Sequence, residues 1–121
     1  MGTFYVDCTI RNIRREGSVA VTKILVDTGS EYTWIPEEDL KGIDVGKEKR
    51  GLSFIMANGE VVTRDVGYAV IQSEGFETVD EVVFSQKGDL TLLGSRTLEG
   101  FAAIVDARAK KLVAAGPLPV A

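Results

Sequence analysis

Histidine is absent from this chain of 121 residues, and cysteine and tryptophan occur once each, as Cys8 and Trp34. Without an imidazole there is no Ser-His-Asp or Cys-His nucleophile pair, no ordinary zinc site and no histidine general base. A single cysteine excludes an internal disulfide and a cysteine-rich metal site, and Cys8, flanked by Val6 and Ile10, reads as a small core residue. Neither a metal nor a cofactor is expected. Basic residues are outnumbered, 14 Lys and Arg against 18 Asp and Glu, for a net charge of −4. That balance offers no electrostatic footprint for nucleic acid, and the short basic stretches Arg11 to Arg15 and Lys47 to Arg50 read as solvated turns. No apolar run reaches the length of a membrane span. The start Met1-Gly2-Thr3-Phe4 lacks a basic segment followed by an apolar one, and Val6 stands where a myristoylation motif wants Ser or Thr. A soluble, cytoplasmic protein with no membrane partner is the expectation. Acid-base chemistry is left to carboxylates, lysine or tyrosine.

The residues that are present are patterned for strands. Phe4 to Ile10 and Val19 to Val26, rich in β-branched residues, flank a polar turn from Asn12 to Gly17 and predict a hairpin. A short apolar segment, Thr33-Trp34-Ile35, leads into Pro36-Glu37-Glu38-Asp39-Leu40-Lys41. Proline in a first turn with acids at the positive end of the helix dipole predicts a one-turn helix ended by Gly42. Residues 42 to 51 carry three glycines and five charged side chains and read as an exposed connection. Leu52 to Met56 and Val61 to Ile71 then flank Asn58-Gly59, the preferred pair for a two-residue type I′ turn with positive φ at both positions. A strand over Glu77 to Phe84, an apolar strand Leu90 to Leu93 stopped by Gly94, and a short helix capped by Ser95 follow. Phe101 to Val105 and Lys111 to Ala114 predict a last hairpin. Pro117 and Pro119 remove ladder donors at alternate positions, so the tail is not expected to be a central strand. No internal repeat is visible. The length fits one domain, residues 1–121, too short for two catalytic lobes.

One segment carries chemistry. In Val26-Asp27-Thr28-Gly29-Ser30 a carboxylate stands where the apolar run Ile24-Leu25-Val26 stops and a tight turn begins. Asp followed by Thr-Gly-Ser is also a stable Asx-turn sequence that needs no catalysis. Its neighbours favour more than a turn. Asp27-Thr28-Gly29-Ser30 with Trp34-Ile35-Pro36 downstream resembles the first catalytic segment of pepsin-type aspartic proteases. The chain length, the hairpin around Asn58-Gly59, and Leu92-Leu93-Gly94-Ser95-Arg96 before a short helix resemble the single-domain retroviral type, the retropepsins, over nearly the whole chain.

That resemblance implies an all-β, closed, barrel-like fold with a flap hairpin and one or two short helices. It implies Asp27 as the catalytic acid, supported by Thr28, Gly29 and Ser30, a flap tip at Met56, Ala57, Asn58 and Gly59, and a second structural loop at Leu93 and Gly94. Peptide hydrolysis by this route holds a water between two carboxyl groups, one taking its proton and the other donating to the substrate carbonyl. One chain offers only Asp27 in that setting, because Asp106 lies at a hairpin turn among Ala and Arg. A homodimer is therefore expected, with two Asp27 residues on its axis, Thr28 bracing its dimer mate, and an extended peptide or protein bound as an added strand. Ser30, as the resemblance implies, stands near enough to hydrogen-bond the carboxylate, whereas Trp34 reads as core.

Three positions depart from the family pattern. Met56 stands where pepsin-like enzymes carry a flap tyrosine, and Ser95 stands where retropepsins carry an arginine after the apolar-apolar-Gly triplet. Arg96 comes one residue later, which predicts an ion pair with Glu31. The tail differs from the terminal strands that interleave in retropepsin dimers. A noncatalytic module of the same fold, used to dimerise or grip a peptide, is the alternative to an aspartic endopeptidase.

Overall fold

The computed structural model describes residues 3–14 and 16–120. Met1, Gly2, Arg15 and Ala121 lie outside them, and with them the myristoylation reading and the end of the first basic stretch.

Alternation builds the first hairpin. In β1 (Tyr5–Arg11) Val6, Cys8 and Ile10 face inward while Tyr5 and Asp7 face out, and β1 pairs antiparallel with β2 (Ser18–Val26). Two residues of β2 oppose Asp7, a bulge in which Lys23 takes a φ of 54° and its amide donates to the Asp7 carboxylate over 3.0 Å. The turn between the strands is closed by Asn12 N–H donating to Gly17 O. The buried Asn12 side chain donates to the carbonyls of Ile43 and Asp44 at 2.9 and 3.0 Å. Residues 42 to 51 are thus not merely an exposed connection. Ile43 and Val45 are buried in the core, and Asn12 supplies partners for the backbone there.

Beyond β3 (Thr33–Pro36) and the short helix α1 (Glu37–Gly42) comes the long hairpin of β4 (Lys49–Ile55) and β5 (Val61–Ser73). Then follow β6 (Phe76–Ser85), the two-residue β7 (Leu92–Leu93), helix α2 (Ser95–Phe101), and a separate hairpin of β8 (Ala103–Asp106) and β9 (Lys111–Ala114). The main sheet runs β1-β2-β7-β3-β6-β5-β4, and β5 pairs again with β1 through Thr9↔Gln72, Ile10↔Ile71 and Arg11↔Val70. This second pairing closes a ring of strands, the mostly β, closed architecture expected from the sequence. The 13 residues of β5 divide the labour: Val66 to Ser73 pair with β6 inside the ring, whereas Val61 to Arg64 pair with β4 alone and project from it.

Ser95 is the first residue of α2 rather than its cap; the cap position is Gly94, whose side-chain-less backbone supplies no such bond. The tail from Ala115 to Val120 joins no strand, in keeping with Pro117 and Pro119. Among the described residues no helix is long and apolar enough to cross a membrane.

Strands covered on both faces explain the unbroken apolar runs. Ile35, Val82, Phe84 and Leu93 point into the main core with Ile10, Ile24, Leu40 and Ile71, while their neighbours Trp34, Val83 and Leu92 join Val66 in a second cluster. Leu25, Tyr32, Leu52, Phe54, Met56 and Val62 pack half-buried against that second cluster, beneath the projecting hairpin.

Lys47 ties the outer elements together. Its Nζ lies 3.0 Å from Glu37 of α1, 3.2 Å from Asp65 of β5, and 5.4 Å from the centre of the Phe84 ring. Hydrogen bonds from Lys47, Gln86 and Lys41 hold the Glu37 carboxyl down to about 2. Asp65 is also lowered, first by the Gly51 amide and then by Lys47, and Asp89 is lowered by the Arg64 guanidinium. A carboxyl more acidic in the folded chain than in the unfolded one contributes stability that is complete above its unfolded pKa and vanishes as pH falls through its folded one. The melting temperature should therefore hold at neutral pH and fall between about pH 4.5 and about pH 2, the interval over which Glu37 gains its proton. Lys47→Ala should lower the plateau and flatten that fall, which thermal denaturation at a series of pH values measures.

Candidate active site

Asp27 ends β2 where the strand leaves its partners. Val26 N–H still donates to Phe4 O over 2.8 Å, and Asp27 N–H donates to Leu93 O over 3.0 Å. The chain then turns sharply, with the Gly29 amide donating to Asp27 Oδ1 over 3.0 Å and the Ser30 amide to Asp27 O over 3.2 Å. The Asx turn of the bland alternative is therefore present, and it fixes the carboxylate at the mouth of a cleft.

The far limb of the loop is anchored from below. Ser30 O and Glu31 O accept the Ser95 and Arg96 amides at 2.7 and 3.1 Å. β7 lies between the two limbs, parallel to β2 through Leu25↔Leu92 and Val26↔Leu93 and antiparallel to β3 at Trp34↔Leu92. Leu93 thus bonds Asp27 directly, and Gly94 packs against the far limb at Glu31 and Tyr32. Only glycine fits at 94, because a Cβ there would overlap the carbonyl oxygens of Tyr32 and Glu31. A buried relay continues downward: Gly94 N–H donates to Thr33 Oγ1 over 3.0 Å, Thr33 and Thr97 hydroxyls meet at 2.6 Å, and Thr97 donates to Asp80 Oδ2 over 2.8 Å. With Asp80 accepting at the end, every hydroxyl proton has one direction. Thr33, Thr97 and Asp80 escape sequence reasoning, since nothing local links positions 64 and 17 apart.

Two expected contacts are not formed. Ser30 Oγ donates to Tyr32 O over 3.0 Å rather than to the Asp27 carboxylate. Arg96 does not pair with Glu31; its guanidinium lies 3.5 Å from Glu81 Oε2 and 4.8 Å from the centre of the Tyr32 ring. One position along a helix turns a side chain by about 100°, so an arginine at 96 faces β6 where one at 95 would not. Glu81 also binds Lys49, which is the chief reason its carboxyl is held below the usual range. Thr28 is exposed at the turn.

The hairpin tip is built differently from the expected turn. Gly59 has φ 86°, but Asn58 does not share it, so the two-residue type I′ turn is absent. Met56 O accepts from Gly59 N–H at 2.8 Å, Met56 N–H donates to Glu60 O at 2.7 Å, and Asn58 Oδ1 accepts from Glu60 N–H at 2.9 Å. That is a three-residue loop with glycine at its left-handed last position. Met56 and Ala57 line the cleft, while Asn58 and Gly59 are exposed outside it.

The cleft encloses about 650 Å³ between the Asp27 loop and the hairpin. Phe54 meets Tyr32 and Trp34 edge-on at 5.3 and 5.2 Å, with Leu52, Leu90 and Leu92 completing an apolar wall. Trp34 is buried, as expected, and also forms part of that wall. Leu52 and Phe54 share one face of β4 with Met56, a period-two signal visible in the sequence; Tyr32 and Leu90 carry no such signal. Cys8 is buried far down β1, and burial pushes its thiol up to about 11, which makes it a core residue rather than a nucleophile. Among the described residues no group of His, Cys, Asp and Glu is placed to hold a metal ion.

Closed strand ring, Asp-Thr-Gly loop over an apolar-apolar-Gly strand, and overhanging hairpin together define a retropepsin-like aspartic protease domain. The family model described as "gag-polyprotein putative aspartyl protease" matches residues 16–100, and the chain belongs to that family. Among solved structures, the retroviral protease-like domain of Ddi1 from Leishmania major is similar over 98% of this chain and 96% of that one, with a TM-score of 0.60 and 20% identity, a likeness of fold. No match is found among curated proteins.

Gly94→Ala should abolish cooperative unfolding in a urea titration, because the colliding atoms are backbone oxygens. Thr97→Val, which fits the same space, should cost about 1–3 kcal/mol in that titration by leaving the Thr33 hydroxyl and an Asp80 oxygen without their partner.

Proposed function

We propose that the chain is an aspartic endopeptidase that works as a homodimer of single 1–121 domains, hydrolysing peptide bonds with a water activated between two Asp27 carboxyls. The observation that carries this reading is the rigid presentation of Asp27, held by the amides of its own turn and by Leu93, at the mouth of an apolar cleft. Two like charges at roughly 3 Å cannot both stay ionised, so a facing pair shares a proton, and that gives one base and one acid without any histidine. The base takes a proton from the water, and the acid donates to the substrate carbonyl oxygen as the oxygen of the water bonds to carbon. Collapse of that tetrahedral species breaks the C–N bond as the carboxyl that took the water's proton returns it to the nitrogen and the other carboxyl takes a proton from a hydroxyl, leaving an amine and a carboxylic acid.

Each supporting residue has a part in this scheme. Gly29 keeps the turn tight beside Asp27, and the exposed Thr28 braces its dimer mate. Leu93 and Gly94 support the loop from beneath. The hairpin tip, Met56 to Gly59, closes over an extended peptide and excludes water, while the peptide adds as a strand and its side chains fill alternating pockets. Ser30, bonded to Tyr32 O, shapes the loop rather than the acid.

Asp27→Asn should lower cleavage of a diverse peptide library by about 10³-fold or more while leaving circular dichroism and melting temperature unchanged. Sedimentation of the wild-type chain should show a dimer at micromolar concentration, tightened by a transition-state analogue of aspartic proteases. A monomer that cleaves no library member refutes the enzyme. Peptide binding without hydrolysis would instead mark the chain as a gripping module.

A further inference from the structure

We propose that Glu31 makes the cleft selective for peptides that carry a lysine or arginine within a few residues of an apolar side chain. The inference rests on the cleft being the peptide site and names the chemical class of its occupant.

The charge of the cleft is one-sided. In the part that one chain supplies, its acidic wall residues are Asp27 and Glu31, and neither lysine nor arginine lines it. Four cations on the elements around it are committed elsewhere. Arg96 goes to Glu81 and the Tyr32 ring, Lys49 goes to Glu81, and Arg64 makes a two-pronged pair with Asp89 at 2.7 and 2.8 Å. Lys47 is held by Glu37 and Asp65. Glu31 forms no ion pair among the described residues, although Arg96 donates its backbone amide to Glu31 O.

Geometry makes this carboxylate a selector rather than a loose surface charge. Its backbone is fixed by that amide bond and by the neighbouring Ser95 amide on Ser30 O, so the side chain starts from a rigid segment beside the cleft. Glu31 is exposed and needs no desolvation before a ligand arrives. Beside it, Tyr32, Trp34, Phe54 and Leu90 offer an apolar surface for a neighbouring side chain. A cationic residue gains from the Glu31 carboxylate while an acidic one is repelled by it, and specificity is the difference between the two.

The test uses the full chain carrying Asp27→Asn, so that peptides bind without turnover, and pairs of extended peptides identical except for Lys or Glu at one position beside a leucine. Binding is followed by calorimetry and by the fluorescence of Trp34, the only tryptophan, in the cleft wall. The Lys peptide should bind about tenfold more tightly than the Glu peptide at low salt, with the gap narrowing as salt is raised. Adding Glu31→Gln should bring the ratio near one, and Glu31→Lys should invert it; both changes are exposed and leave the backbone bonds in place. A ratio near one in the Asp27→Asn chain, or a ratio that Glu31 substitutions do not move, overturns the selectivity. Failure of every peptide to bind overturns it as well. Cleavage by the wild-type chain is scored separately: hydrolysis without a preference for Lys over Glu sinks the selector and leaves the protease standing.

Discussion

The passage of Leu92-Leu93-Gly94 between the two limbs of the Asp27 loop is the constraint on which the rest of the structure depends. A loop this close to the core must find partners for its backbone groups, since each buried one left unpaired costs as much as a lost hydrogen bond. β7 supplies them on one side and the start of α2 on the other. Leu93 O takes the Asp27 amide, and the amides of Ser95 and Arg96 reach the carbonyls of Ser30 and Glu31. Bonds of that length bring Gly94 against the Tyr32 and Glu31 carbonyls with no room for a side chain. The same approach places Gly94 N–H on Thr33, and through Thr97 on Asp80, so α2 and β6 are drawn into fixing a carboxylate they never touch.

How much of this was legible depended on the distance along the chain over which each device acts. The Asn12–Gly17 turn, helix α1 and the β4–β5 hairpin are written in a few consecutive residues and form close to where expected, although Pro36 caps α1 rather than entering its first turn and Gly42 is its last residue. The closure of β5 onto β1, and the parallel pairs β2–β7 and β3–β6, join residues far apart and leave no local mark. Unbroken apolar runs such as Val82-Val83-Phe84 and Leu92-Leu93 signalled burial but not that successive residues would serve two different clusters. For the site, Asp27, Leu93 and Gly94 were readable as a motif in order, and Ser30 and Arg96 were not. A hydroxyl or a guanidinium can reach several partners, and which one it takes is decided by side-chain direction. The tip followed the same rule: Asn58-Gly59 announced a turn, while the bond from Gly59 to Met56 O set its length.

Electrostatics in this chain act mainly as ties between elements. Lys47 joins α1 to β5, Arg64 joins β5 to the loop before β7, and Glu81 gathers Lys49 and Arg96 across β4, β6 and α2. These ties engage Lys47, Lys49, Arg64 and Arg96 on the elements that surround the cleft. Among the described residues, neither Asp27 nor Glu31 in the cleft wall forms an ion pair.

The hairpin above the cleft depends on that cleft for its own order. A two-stranded ribbon is marginal in water, and the tip half of this one pairs with nothing else in the sheet. What holds it is Phe54 edge-on to Tyr32 and Trp34, with Leu52, Met56 and Val62 packed nearby. Those contacts form the apolar wall a ligand meets, so the surface that restrains the hairpin is also the surface offered for binding. A side chain that enters between Phe54 and the Asp27 loop replaces part of the packing it displaces and covers more of Leu52 and Leu90. Ile55 and Val61 face each other across the strands and are mostly exposed at 79% and 60%. They have apolar area still to gain from a ligand or a second chain. Under the proposed function, occupancy and closure are one equilibrium: a peptide that buries more of this wall holds the hairpin down.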